Sequence, residues 1–220
     1  MQLKRHQHHP LIHKIYRTHK ISHRTIFYMK EYGKKSHIAS VILKESLFAL
    51  MIAFIIGTIS GVSLQATKSN FIIFLPLLIL LPALTDMVGD YSMIMVSRLS
   101  TLLFTKNVAR KWWKSEDIHK LIRTIISVAI LSAVYIGIIS SGIAYLKGIS
   151  LSLSSAIKIL EVSLLTTLIM VSIIMTVSSF AVFYVYKRKE DPNNLVMPVM
   201  TSIADLGTIL IFALVVRLIF

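Results

Sequence analysis

Residues 71–104 have the sequence FIIFLPLLILLPALTDMVGDYSMIMVSRLSTLLF. A membrane-spanning helix needs roughly 20 mostly apolar residues, and this stretch of 34 residues exceeds that length. It also holds two aspartates, Asp86 and Asp90. Because an ionised carboxylate near the bilayer centre costs about 2.5–3.5 kcal/mol, a chain keeps one only where it meets water, a cation or a partner. The stretch therefore predicts a membrane helix whose acids have a function.

Four other windows have the same apolar character, and 55% of the 220 residues are hydrophobic, with a mean hydropathy of +0.73. Together they predict an all-α integral membrane protein with five transmembrane helices. The five windows are about 43–64, 71–104, 121–146, 155–186 and 192–220.

The basic residues are distributed unevenly between the two sides of these windows. Of the 24 Lys and Arg residues, 19 lie at or before Lys44 or around 106–123 and 187–189, only four fall on the other side, and Arg98 lies within a window. This positive-inside pattern predicts a cytoplasmic N-terminus, an external C-terminus and a multi-pass protein of the cell membrane. It also assigns the net charge of +14 to a membrane surface, so we expect lipids rather than nucleic acid as partners.

Residues 1–40 are predicted to form a basic cytoplasmic tail, and residues 41–220 a five-helix membrane domain. The tail holds seven of the eight histidines. We expect this basic tail to lie against anionic headgroups. The alternative is that its clustered histidines bind a metal. Cysteine is absent, which excludes disulfides and thiolate metal sites.

Prolines accompany the acids of the second window. Pro76 and Pro82 each remove a backbone donor and favour a kink, and Gly89 lies just beyond them. A broken helix with exposed carbonyls is tolerated at membrane depth only where it is buried in protein or lines a watery cavity. We therefore expect the helix break and the acids to line the same cavity.

The last window begins with Asp191-Pro192, which predicts a helix start with the carboxylate as N-cap, and it carries another proline at Pro198. Thr201, Asp205 and Thr208 follow at positions i, i+4 and i+7, which lie on one face of a helix. This polar stripe is the best candidate for the wall of a pore.

The ligand chemistry of these windows favours a hard cation. Asp86 and Asp90 are four residues apart and share a helix face. Mg²⁺ loses its water reluctantly and usually meets one or two carboxylates through retained waters. Zn²⁺ or Cu²⁺ would fit poorly, because the windows contain neither cysteine nor histidine. Oxygen ligands alone do not distinguish Mg²⁺ from Mn²⁺ or Co²⁺ as the transported ion.

The motifs in the second and fifth windows resemble those of the MgtE magnesium transporters. The second runs Pro82-Ala-Leu-Thr-Asp-Met-Val-Gly-Asp90 and continues to Ser-Arg-Leu-Ser-Thr at 97–101, an ending closer to the eukaryotic solute-carrier relatives and their half-length prokaryotic counterparts. The fifth runs Pro198-Val-Met-Thr-Ser-Ile-Ala-Asp205.

The resemblance implies a five-helix protomer that pairs as a homodimer, with a cation path near the interface. It gives Asp205 the role of holding hydrated Mg²⁺, with Thr201 one turn before it. The second helix departs from the family at Asp90, where asparagine is usual, so ion preference or gating is expected to differ.

These features predict a transporter rather than an enzyme. We expect it to carry divalent cations, most of all Mg²⁺, through an acid-lined and channel-like path. The alternative is an exporter coupled to Na⁺ or H⁺, for which the same carboxylates would serve. An intramembrane aspartyl enzyme is less favoured, because Met87-Val-Gly-Asp90 lacks the first glycine of the Gly-x-Gly-Asp motif. The direction of flux stays open.

Overall fold

A computed structural model describes most of the chain outside the N-terminal tail. The described residues are 38–72, 75–106, 115–149, 151–188 and 190–220. Most of the predicted tail, and the loop that carries Trp112 and Trp113, lie outside these ranges. The division at residue 40 therefore stays a prediction.

The described residues form five α-helices and no strand. They are α1 (Ile38–Ile72), α2 (Leu75–Lys106), α3 (Glu116–Leu146), α4 (Leu153–Arg188) and α5 (Pro192–Ile219). Within the described ranges, all five are long and apolar enough to cross a membrane. The predicted all-α class with five spanning helices is confirmed, and the side on which each terminus lies stays a prediction.

Side chains and glycine set several helix ends. The Ser152 hydroxyl accepts a hydrogen bond from the amide of Ser155 (3.1 Å) and caps the start of α4. The Asp191 carboxylate accepts one from the amide of Asn193 (2.9 Å), with Pro192 as the first helical residue, so the predicted cap of α5 is confirmed. After α3 the chain turns at Gly148, whose φ of 82° is a conformation that favours glycine.

Helix α5 occupies the centre of the arrangement, because it packs against α1, α2 and α4. Helix α2 also contacts α3 and α4, and α3 packs on α4, whereas α1 is held mainly by α5. The outward faces carry large apolar side chains such as Phe54, Leu131 and Leu218, each at least 70% exposed. This surface suits lipid rather than water.

Two buried clusters fill the space between α2, α4 and α5. One includes Met95, Ile174 and Met200 and extends to α3, and the other includes Leu84 and Phe212 nearer the opposite end of the helices. Since lipid tails are as apolar as leucine, close packing and hydrogen bonds, more than burial from water, hold such helices together.

Hydroxyl groups and a glycine join α3 to its neighbours. Ser140 donates a hydrogen bond to the carbonyl of Pro76 in α2 (2.6 Å), and Ser163 of α4 donates to the carbonyl of Ala133 in α3 (2.7 Å). A Cβ atom on Gly137 would lie 3.2 Å from the Cδ1 atom of Leu160. Small and hydroxyl-bearing residues thus serve helix packing here.

The predicted helix breaks are wrong. Helix α2 continues through Pro82 and Gly89, and α5 continues through Pro198. A single proline removes only one hydrogen bond of the helical ladder, and the packed turns on either side maintain the helix. Pro76 is the second residue of α2, where an amide hydrogen would lack a helical partner in any case.

Candidate cation site

A groove of about 370 Å³ lies between α1, α2 and α5. Its walls are apolar apart from two carboxylates, one hydroxyl and the backbone near a proline. The lining residues are Leu64, Leu78, Leu81, Pro82, Thr85, Asp86, Asp205 and Ile209.

The two carboxylates of the groove come from different helices. Asp86 lies on α2 and is exposed at the surface of the protomer, whereas Asp205 lies on α5 and is half-buried. They are close enough for their negative charges to repel each other. A cation between them would remove this repulsion.

Gly89 of α2 lies next to Asp205 of α5. A Cβ atom on this buried glycine would lie 3.9 Å from the Oδ1 atom of Asp205. The carbonyl oxygen of Gly89 accepts a hydrogen bond from the Ser92 hydroxyl (2.7 Å). The carboxylate of Asp205 thus lies beside α2, at the turn after Asp86.

Pro82 leaves one backbone carbonyl beside the groove without its usual helical donor. Since proline has no amide hydrogen, it cannot donate to the carbonyl of Leu78, and both residues line the groove. A carbonyl released in this way is a ligand for a hard cation or its water shell. The proline therefore contributes a carbonyl without breaking the helix.

The predicted hydroxyl ligands lie in different surroundings. Thr201 is half-buried outside the groove lining, and its hydroxyl donates to the carbonyl of Pro198 (2.9 Å), to which Ser202 also donates (3.2 Å). Thr208 is fully buried, and its hydroxyl has no hydrogen-bond partner within the part of the chain that the structure describes. The residues of the predicted polar stripe of α5 therefore lie in different places: Asp205 lines the groove, whereas Thr208 is buried between the helices of the bundle.

Two other predicted acids lie outside the groove lining. Asp90 is exposed on α2, one turn beyond Asp86. Asp191 caps the start of α5, 14 residues before Asp205, a separation of about 21 Å along a helix. Asp86 and Asp205 are the predicted acids that the protomer brings together, and their role as metal ligands stays a prediction.

Sequence reasoning missed the apolar wall and one hydroxyl of the groove. Leu64 of α1 lines it, but an isolated leucine in an apolar helix carries no signal of such a position. Thr85 could have been found, because it is next to Asp86 in the sequence. Its hydroxyl donates to the carbonyl of Leu81 (2.9 Å), which leaves its lone pairs available as acceptors.

The donor set of the groove suits a hydrated hard cation. It consists of two carboxylates, a hydroxyl and a released carbonyl, which are oxygen ligands of the kind that Mg²⁺ prefers. Within the described ranges, no group of three or more His, Cys, Asp or Glu side chains could hold a metal ion. One protomer thus offers two acids and relies on water for the remaining ligands.

Five apolar spanning helices and two facing carboxylates at membrane depth define a multi-pass membrane protein of the cation-transporting class. Residues 81–215, more than half of the chain, match the MgtE family of divalent cation transporters, and the chain belongs to this family. The match covers α2 to α5 and both acids of the groove, and the family is one of transporters rather than enzymes. No curated protein and no solved structure matches the chain.

Proposed function

We propose that this protein conducts Mg²⁺ across the membrane through an acid-lined path that two copies of the chain form together. The path is channel-like, so the ion moves down its own gradient. Asp205 and Asp86 hold the ion through its water shell in the groove, with Thr85 and the released carbonyl of Leu78 as further oxygen ligands. Thr201 contributes to the path one turn before Asp205.

The facing carboxylates of Asp86 and Asp205 carry this proposal. Six water molecules occupy roughly 180 Å³ at about 30 Å³ each, which is about half the volume of the groove. By volume, the groove therefore has room for a hydrated ion. Since Mg²⁺ dehydrates reluctantly, a site that accepts the hydrated ion favours it over a cation that needs direct ligands.

The exposed acids of α2 support the pairing of two copies. Asp86 and Asp90 are exposed within the apolar span Pro76–Phe104. Contact with lipid at that depth would cost about 2.5–3.5 kcal/mol for each ionised carboxylate. A second copy that covers this face replaces lipid with protein, water and the transported cation. The proposed dimer would bring up to six acids, three from each chain, near one axis.

Flux measurements in liposomes test the proposal. We expect the wild type to move Mg²⁺ down its gradient without a Na⁺ or H⁺ gradient, and Asp205→Asn to lose most of this flux. The matched control is Glu161→Gln, because Glu161 is an exposed acid of α4 outside the groove. This control should keep the wild-type rate.

Each other outcome has a definite meaning. Flux that requires a Na⁺ or H⁺ gradient would show a coupled exporter instead of a channel-like path. Equal losses in Asp205→Asn and Glu161→Gln would show that the groove is not the path. Flux of Mn²⁺ or Co²⁺ above that of Mg²⁺ would revise the proposed ion.

A further inference from the structure

One face of α3 is exposed along its whole length, on the side opposite the face that packs on α2 and α4. The first three turns of this face form a shallow polar groove of about 470 Å³. The groove is lined by Glu116, Lys120, Arg123, Thr124, Ser127 and Val128.

The same face changes from polar to apolar as α3 enters the membrane. The spacing of i, i+4, i+7 and i+11 from Glu116 to Ser127 continues to Leu131, Tyr135 and Ile138. These three side chains are 70%, 63% and 62% exposed. The buried residues of α3, such as Ile125, Ala129 and Ala133, lie on the opposite face. A polar groove thus leads directly into an apolar stripe about two turns long.

The charges of the groove favour an anion with an attached hydroxyl group. Lys120 and Arg123 are exposed and one turn apart, so both can contact a single phosphate. Glu116 lies one turn nearer the start of the helix, where it can accept a hydrogen bond from a hydroxyl group. The Thr124 hydroxyl donates to the carbonyl of Lys120 (2.9 Å), which leaves its oxygen as an acceptor.

The neighbouring titratable groups are oriented elsewhere. His119 is exposed, and its Nδ1 atom lies within hydrogen-bond distance of the Ser115 carbonyl (2.9 Å). Asp117 is half-buried and does not line the groove. The groove therefore has a net charge of +1 from its own side chains, with the two basic groups nearest to the apolar stripe.

We propose that this face of α3 binds one anionic phospholipid with a glycerol headgroup. The phosphate contacts Lys120 and Arg123, the glycerol hydroxyls contact Glu116 and Thr124, and an acyl chain follows Leu131, Tyr135 and Ile138. The positive-inside pattern predicts that this end of α3 faces the cytoplasm, where basic residues attract anionic lipid. The proposal does not depend on the cation path.

Native mass spectrometry of the purified full chain tests this proposal. The protein is titrated with phosphatidylglycerol and with phosphatidylcholine of identical acyl chains. Since each basic residue adds about 1 kcal/mol of attraction to anionic lipid, we expect phosphatidylglycerol to bind roughly tenfold more tightly or better. The double variant Lys120→Gln/Arg123→Gln should lose this preference.

The control is Lys147→Gln, because Lys147 is an exposed lysine directly after the other end of α3. It should keep the preference, and phosphatidylglycerol should raise the melting temperature of the wild type and this control but not of the double variant. Equal binding of both lipids, equal losses in control and double variant, or displacement of the lipid by inorganic phosphate would overturn the proposal.

Discussion

The Oδ1 atom of Asp205 lies 3.9 Å from the position that a Cβ atom would occupy on Gly89. Gly89 belongs to α2 and Asp205 to α5, which are the two helices that carry the acids of the groove. The Asp205 carboxylate therefore lies beside α2 near Gly89, about one turn from Asp86, with room for a methyl group between them. Because Gly89 has no side chain, the space beside the carboxylate is unfilled.

A larger side chain at Gly89 should obstruct this space. In Gly89→Ala, the added methyl group makes an ordinary van der Waals contact with Asp205, so we expect a folded protein with most of its flux. In Gly89→Leu, the larger side chain must take up space next to the Asp205 carboxylate, which lines the groove. An overpacking cost of about 1–3 kcal/mol on the path should lower the flux at least roughly fivefold. The liposome assay compares both variants, and wild-type flux in Gly89→Leu would contradict the proposed path.

Asp90 should contribute less to transport than Asp205. Asp90 is exposed and does not line the groove of the protomer, so we expect Asp90→Asn to lose about half of the flux or less, as a nearby charge screened by water acts weakly. The liposome assay gives the ratio of the two variants at equal Mg²⁺ gradients. A loss as large as that of Asp205→Asn would contradict this ranking and would mean that Asp90 contacts the ion as closely as Asp205 does.

Oxidative cross-linking should detect the proposed contact between two copies. The chain has no cysteine, so Met93→Cys provides a single thiol on the exposed α2 face that carries Asp86 and Asp90. We expect this variant to form a covalent dimer in the membrane, because the proposed axis runs along that face. Leu131→Cys on the outer face of α3 is the control and should stay a monomer. The reverse result would place the interface on α3 instead.

The α3–α4 contact should be sensitive to the size of residue 137. A Cβ atom on Gly137 already meets Leu160 at 3.2 Å, whereas one on Gly142 meets nothing within 4 Å. We expect Gly137→Leu to lose about 1–3 kcal/mol of stability, because it forces the two helices apart near the Ser163–Ala133 hydrogen bond. Thermal unfolding in detergent compares it with Gly142→Leu, which should melt within a few degrees of the wild type. Equal melting temperatures would contradict the observed packing.

The spanning helices were predictable from the sequence because their signal is local. Each window of apolar residues has a helix in the structure, with ends that differ by several residues where polar flanks extend it, as in α1 and α3. The start of α5 was also predictable, since Asp191 and Pro192 act on adjacent backbone groups. The continuity of α2 and α5 through their prolines was not predictable, because the cost of one missing hydrogen bond depends on packing by other helices.

The candidate site was predictable only in part. The acids were recognisable as costly residues in apolar windows, and their motifs indicated the family. The helical spacing predicted that Asp86 and Asp90 share a site. In the structure, Asp86 shares the groove with Asp205, and Asp90 lies outside it. The position of Thr208 also escaped prediction, since a stripe on one helix face says nothing about which neighbour covers each residue.

The sequence by itself determined that the chain spans a membrane five times, that two spans carry acids, and that the chain belongs to the divalent cation transporters. These properties follow from the free energy of moving each segment into lipid and from local motifs. Only the tertiary structure decided which acids share a space. That choice depends on how closely α2 and α5 approach at Gly89, and on the wall that α1 adds, which are results of packing between distant segments.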